Sequence, residues 1–379
     1  MPSSELPVPP SESRSQAIAR VDLSAIARNF ARLRARAADA EIIAVVKADA
    51  YGHGAGPVAR RLESEGVGRF AVAVAAEGMA LRRAGIASEI LLLNASDPSE
   101  AALLRAFGLV PAIYDPVQAS RFAEATAAFA TPLAFHLKID TGMGRLGFRP
   151  EELGGAIEWL KTSRGLRLAG VFTNFASADD PSRPATARQI QVMRDCVAAI
   201  AAAGLSPGLV HVSNSAGILG WPDARFDAVR PGLALYGVPP SESGMAESLE
   251  PALTLETRVA SARRVPAGTP LGYGGQFTTL RESHIAVVPV GYHDGLRRSL
   301  AGRAAMLLRG KKAPIVGAIS MDLTLLDATA MGVEPGERVV CLGRDGEASI
   351  SAWDLARAAG TIPWEILCGI GPRVCRVFA

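Results

Sequence analysis

Between positions 21 and 238, short apolar runs alternate with longer amphipathic stretches rich in Ala and Arg. The runs occupy 41–49, 69–76, 89–94, 110–114, 132–140, 168–175, 209–213 and 228–236. They are apolar at odd and even positions alike, the pattern of parallel strands covered on both faces. Stretches such as 23–38, 115–130 and 183–203 have the length and periodicity of helices. Eight strand candidates, all but the last followed by a helix, predict an α/β fold with an N-terminal (β/α)8 TIM-type barrel rather than an open doubly wound sheet. The texture changes after 239–243. From Ala252 onward, β-branched runs are separated by turn signals at Pro266-Ala-Gly, 272–275, 291–295, the basic tip 309–312 and Pro335-Gly336. This predicts a second, mostly β domain. One helix is expected there, over 351–359, starting at a Ser351 cap and stopping at Gly360. The expected organisation is a tail over 1–15, a barrel over 22–248 and a β domain over 249–379.

Composition narrows the function classes. The 379 residues are 49% hydrophobic and 20% charged, which allows a large core and excludes global disorder. Lys plus Arg number 40 against 37 Asp plus Glu, a net charge of +3 without blocks, too small for a nucleic-acid or acidic-membrane footprint. No apolar run approaches the roughly 18 residues that span a bilayer. The Ser/Pro-rich start carries Glu5 and Glu12 and no apolar stretch of signal-peptide length, so the chain reads as cytoplasmic. Cys196, Cys341, Cys368 and Cys375 form no CxxC pair, and the five histidines form no HxH or HExxH cluster. Neither a disulfide framework nor a metal site is expected.

The chemistry gathers at strand ends. The first run closes in Ala44-Val-Val-Lys-Ala-Asp-Ala-Tyr-Gly-His-Gly. An unpaired ammonium in an apolar strand costs several kcal/mol, so Lys47 is paired, deprotonated or used covalently. At the C-terminal end of a barrel strand, where active sites sit, a desolvated lysine suits a Schiff base with a carbonyl compound. A lysine snorkelling out of the strand end is the competing reading. The fifth run ends in Lys138-Ile-Asp-Thr-Gly-Met-Gly-Arg-Leu-Gly, and the seventh in His211-Val-Ser-Asn-Ser-Ala-Gly. The eighth contains Val229-Arg-Pro-Gly-Leu-Ala-Leu-Tyr-Gly, with Arg230 inside the predicted strand and in need of a partner. Ser215 and the Gly232 backbone lie where the last two loops of a barrel commonly hold a phosphate.

These segments, with Leu271-Gly-Tyr-Gly-Gly, Val290-Gly-Tyr-His-Asp-Gly and Ser320-Met-Asp-Leu-Thr-Leu-Leu-Asp, resemble the fold-type III pyridoxal-phosphate alanine racemases over essentially the whole chain after the tail. The resemblance implies a barrel followed by a β domain that residues 16–21 join, assembled as a head-to-tail homodimer. It implies alanine as substrate and D-alanine supply for the cell wall as role. Lys47 would hold pyridoxal 5'-phosphate, Tyr51, Ser215 and the Gly232 N–H would hold its phosphate, and Arg230 would face the pyridine nitrogen. A guanidinium does not readily release its proton, so the ring stays a weak electron sink and reprotonation at Cα is favoured, as a racemase needs. Lys47 and Tyr273, the latter from the partner subunit, would be the two bases. A phenol with pKa near 10 costs roughly 4 kcal/mol to ionise at pH 7, so cations such as Arg145 must lower that cost. Taken alone, Tyr273 reads rather as a packed tyrosine in a Gly-rich hairpin.

The resemblance also makes Lys138 a position that is often carbamylated, an anion able to orient Arg145 at the substrate carboxylate. Tyr292, Met321 and Asp322 would bound a small substrate pocket, although Met321 also reads as ordinary core. Three positions depart from better-known members. Asn174 stands beside the cofactor where a histidine commonly links the catalytic tyrosine to the arginine, and an amide carries no proton charge near neutrality. Pro372 replaces a phosphate-touching tyrosine, and Ala318 replaces an entrance arginine. A broad-specificity racemase and a non-catalytic pyridoxal-phosphate carrier are therefore the alternatives. The long segment carrying Tyr273 and Met321 argues against the carrier. Motifs of a decarboxylase or a metal-assisted aldolase are not apparent.

Overall fold

The computed structural model describes residues 16–242 and 249–379. The expected tail over 1–15 lies outside them. Two compact units emerge, one of residues 23–251 and one in which residues 16–22 join 252–379.

The first unit is a closed barrel of eight parallel strands. In order they are Glu41–Val45, Arg69–Val72, Glu89–Ala95, Leu109–Ile113, Leu133–Lys138, Leu166–Phe172, Leu209–His211 and Ala228–Val229. Closure is made by the last against the first, with Glu41 opposite Ala228 and Ile42 opposite Val229. Helices follow from local signals as well as from periodicity. Leu23–Ala37 buries Ile26, Phe30 and Leu33 along one stripe. Pro116–Thr126 starts at Asp115, whose carboxylate accepts the Gln118 N–H at 2.7 Å.

Several strands stop earlier than the apolar runs predict. The run over 41–49 is a strand only to Val45, that over 69–76 only to Val72, and that over 228–236 only to Val229. At the first and last of these the cause is burial beyond the sheet. Val46, Ala50 and residues 233–236 stay buried after the ladder ends, so hydrophobicity continues where strand geometry does not. Lys47 and Arg230 consequently sit just past their strands rather than inside them.

The second unit is built on a ten-stranded sheet. Ala17–Val21 lies between Leu253–Arg258, antiparallel, and Cys375–Phe378, parallel. Val265, Leu271, Ile285 and Val316 form a core cluster in this unit, and Leu271 anchors the turn that carries Tyr273. Ser351 and Asp354 form a reciprocal capping box on Ala352–Ala359, and Gly360 ends it at φ 71°. A second helix, Pro363–Cys368, was not expected from the pattern; six residues are too few to show helical periodicity.

Candidate active site

Lys47 opens a turn of unusual handedness. Ala48, Asp49, Ala50 and Tyr51 have φ of 51°, 52°, 54° and 55°. Left-handed backbone costs an L-residue about 1–2 kcal/mol, so surrounding contacts must hold these four in place. Ala50 and Gly52 donate their N–H groups to the carbonyls of Val46 and Ala48, each at 2.9 Å. Asp49 Oδ1 accepts the Ala55 N–H at 2.7 Å. Glu77 accepts the Ala48 N–H at 2.7 Å through one oxygen and the Ala73 N–H at 2.7 Å through the other. The buried His53 ring lies 3.0 and 2.9 Å from the Ala50 and Tyr51 carbonyls and stacks on Tyr236 at 4.5 Å. Lys47 itself is half-buried.

The far end of this turn meets the last barrel loops. A Cβ on Gly232 would lie 2.5 Å from the Tyr51 hydroxyl, so only glycine allows that approach. Ser215 Oγ accepts the N–H of Gly232 at 3.0 Å and that of Ala234 at 3.3 Å. Asn214 caps the turn that presents Ser215, accepting the Gly217 N–H at 3.0 Å. Tyr51, Ser215 and Gly232 therefore converge on one small polar region with two hydroxyls and backbone donors.

Arg230 is 4% exposed and donates only to acceptors that carry no charge. Its Nη1 donates to His211 Nδ1 at 2.9 Å and to the His211 carbonyl at 2.7 Å. Its Nη2 donates to the carbonyls of Thr173 and Val212 at 2.6 and 3.0 Å, with Asn174 Oδ1 at 3.4 Å. Among the described residues Nε has no hydrogen-bond partner and no carboxylate faces the group. Burial lowers its pKa, while the ring of acceptors keeps it a donor.

Since the arginine can only donate, His211 holds its proton on Nε2 and passes a hydrogen bond to His136 Nδ1 at 2.7 Å. Burial first, then the neighbouring arginines, lowers the His136 pKa to about 3, and burial with Arg230 takes His211 well below its usual range. Both rings are thus neutral at pH 7. A Cβ on Gly170 would come within 2.6 Å of the His136 ring, so this glycine makes room for the pair.

Lys138 ends the fifth strand, 5% exposed, with the Leu93 carbonyl at 3.4 Å and the Phe172 ring centre at 5.4 Å. Burial, followed by repulsion from Arg145, Arg230 and Lys47, brings its pKa down to about 8. The exposed Arg145 ends a loop organised by Asp140, whose carboxylate accepts four successive N–H groups, from Gly142 to Arg145, at 2.8 to 3.1 Å. Gln189, 2% exposed, ties that loop to the next strand end through Thr141 Oγ1 at 3.1 Å and the Asn174 carbonyl at 3.0 Å. The Asn174 amide nitrogen donates to the Phe175 carbonyl at 3.0 Å.

The remaining predicted residues belong to the second unit. Tyr273 sits in a one-turn segment between the paired strands Pro270–Leu271 and Phe277–Thr278. It is 76% exposed, not the packed hairpin tyrosine. Met321 is 50% exposed, so it is not core, and Tyr292 is 42% exposed. Tyr292 and Met321 share a loop junction: the Tyr292 N–H donates to the Ser320 carbonyl at 3.0 Å and the His293 N–H to the Met321 carbonyl at 3.1 Å. Asp322 pairs with Arg373 at 2.7 Å, and the same guanidinium grips buried Asp294 at 2.6 and 2.9 Å.

Residue patterns missed Glu77, His136, Gln189 and the Arg373–Asp294 pair. Only His136 left a signal, lying two residues before Lys138 on the same strand face.

The family model for the alanine racemase N-terminal domain matches residues 21–240, and that for the C-terminal domain matches residues 252–378. The chain belongs to the alanine racemase family. The alanine racemase of Symbiobacterium thermophilum is 40% identical over 95% of this chain and 96% of its own length. That of Carboxydothermus hydrogenoformans is also 40% identical, over 95% of this chain and 98% of the relative. Among solved structures, the alanine racemase of Streptomyces lavendulae superposes with a TM-score of 0.91 at 34% identity, covering 97% of this chain and 98% of the other. The Bartonella henselae alanine racemase, solved with covalently bound pyridoxal phosphate, gives 0.87 at 31% identity over 96% and 99%.

Proposed function

We propose that this chain interconverts L- and D-alanine using pyridoxal 5'-phosphate held on Lys47. One observation carries the reading: the turn that begins at Lys47 ends at Tyr51, whose hydroxyl meets the Gly232 and Ser215 phosphate-type cradle. The residues fit the group. The close approach at Gly232 suits a phosphate oxygen, and Arg230 Nε offers a donor to a ring nitrogen. When bound, pyridoxal phosphate supplies the electron sink that makes the Cα–H of an attached amino acid acidic. Lys47 holds or takes the proton at Cα on one face, and Tyr273 does so on the other. Arg230, fixed by His211 and backbone carbonyls, donates without releasing its proton, which limits charge withdrawal and favours return of the proton to Cα.

The second base comes, in this reading, from a second copy of the chain. Tyr273, Tyr292 and Met321 are large and exposed in the same unit, which suits a surface that a partner covers in a head-to-tail homodimer. Arg145 receives the substrate carboxylate. Lys138 becomes a carbamate beside it, because a buried amine of lowered pKa repelled by Arg145 gains by turning into an anion. Asn174 completes the cofactor surroundings, and Tyr292, Met321 and Asp322 limit side-chain size in favour of alanine. No described helix is long and apolar enough to cross a membrane. We assign the chain a cytoplasmic role in supplying D-alanine for the cell wall.

Lys47→Ala tests the reading. The variant should lose both the absorbance of lysine-bound coenzyme and alanine racemisation, and full activity without Lys47 would overturn the mechanism. Turnover of serine, lysine and arginine beside alanine separates a strict from a broad racemase.

A further inference from the structure

The left-handed turn links the two ends of the proposed coenzyme site, Lys47 and Tyr51, and something outside it must keep four non-glycine residues at positive φ. Most of the contacts described above arise within residues 46–55. Glu77 reaches in from a neighbouring barrel element. It occupies the third position of the helix Ala75–Arg83, where the helix N-terminus favours an anion. Its two oxygens accept the N–H groups of Ala48 and Ala73, each at 2.7 Å. Ala73 follows the second barrel strand, and the Val46 N–H donates to the Ala71 carbonyl at 2.9 Å. The backbone of Lys47 is therefore bracketed: the residue before it is tied to the second strand by the sheet ladder, and the residue after it by the Glu77 carboxylate.

We propose that Glu77 is a positioning residue for the Lys47 amine and the Tyr51 hydroxyl, holding the left-handed turn that carries both. It acts through the backbone, without contact with the reacting atoms. The inference rests on the reading that Lys47 holds pyridoxal phosphate. A carboxylate is the group the geometry requires, since it offers two acceptors to two donors. A glutamine of the same size offers one acceptor and turns an NH2 toward the other N–H.

The test loads the wild-type chain, Glu77→Gln and Glu77→Ala with pyridoxal phosphate. It follows coenzyme release after dilution, and amide hydrogen exchange over 46–55. Glu77→Gln should release coenzyme on the order of 10- to 100-fold faster, the loss expected for a charge-assisted hydrogen bond. Exchange at Ala48 should accelerate at least about tenfold. Glu63→Gln is the control. Glu63 also accepts backbone N–H groups, from Ala87 and Ser88 at 3.0 and 2.8 Å, but before the third strand, at the opposite end of the barrel. It should release coenzyme at the wild-type rate. Wild-type release and exchange in Glu77→Gln would overturn the proposal, as would equal acceleration in Glu63→Gln, which would mark a general loss of stability. If Glu77→Ala does not fold, the same-sized glutamine variant decides. A wild-type chain that takes up no coenzyme refutes the underlying reading and this role with it; normal loading with an unperturbed Glu77→Gln refutes Glu77 alone.

Discussion

Lys138→Met removes a buried, poorly hydrogen-bonded charge from the barrel while keeping an unbranched side chain of similar length. Lowering the lysine pKa from 10.5 to about 8 corresponds, at about 1.36 kcal/mol per pH unit, to roughly 3 kcal/mol of destabilisation at pH 7. The sign follows from proton binding. The unfolded chain binds this proton more tightly, so the penalty is complete below pH 8 and fades as pH rises toward 10.5. The weak Leu93 hydrogen bond at 3.4 Å and the Phe172 ring return part of it. Coenzyme-free, CO2-depleted Lys138→Met should therefore be about 2 kcal/mol more stable than wild type to urea at pH 7, with the advantage all but gone by about pH 9.5. Bicarbonate should then stabilise only the wild type. At pH 7 about a tenth of an amine with pKa 8 is neutral and able to react with CO2, against about one in three thousand for an ordinary lysine. Carbon-13 bicarbonate should give a carbamate resonance in the wild type and none in the variant. A less stable Lys138→Met, or a difference that does not change with pH, would show that the ammonium is well satisfied and refute the reasoning.

The His136–His211 pair predicts an acid limb. Both rings are neutral in the folded chain, so stability is complete above pH 6.5 and falls as pH drops toward the folded His136 value of about 3, with His211 also held well below its usual range. At pH 5 each histidine should cost about 2 kcal/mol, and unfolding near pH 5.5 should take up about two protons; an uptake below one would refute neutral burial. Tyr273→Phe should lower racemisation on the order of 10²- to 10⁴-fold while leaving coenzyme absorbance intact. Cα-proton exchange with solvent should persist for one enantiomer only, and equal loss for both would remove the two-face assignment.

The barrel was legible because burial on both faces of a parallel strand leaves continuous apolar runs, and eight of these survive in the sequence. The β unit was legible from turn residues, and the Ser351 cap from a local hydrogen bond that needs no tertiary context. Lys47, Ser215 and Arg230 stood out as candidates because polar groups beside apolar runs contrast with that background, whereas the part given to Lys138 came from the family resemblance.

Strand ends were not legible. Val46 and residues 233–236 are buried by the barrel mouth rather than by the ladder, so hydrophobicity alone could not say where pleating stops. Nor could any spacing foresee that Ala48 to Tyr51 turn left-handed, since alanine, aspartate and tyrosine prefer the opposite hand and only Glu77, 29 residues from Ala48, and their other neighbours reverse the balance. His136 meets His211 across 75 residues, and Arg373 meets Asp294 across 79. The amino-acid order determined which segments bury and which chemistry is present. Chain closure decided which of those groups touch, because hydrogen bonds act over a few ångströms and carry no record in the spacing of residues that far apart.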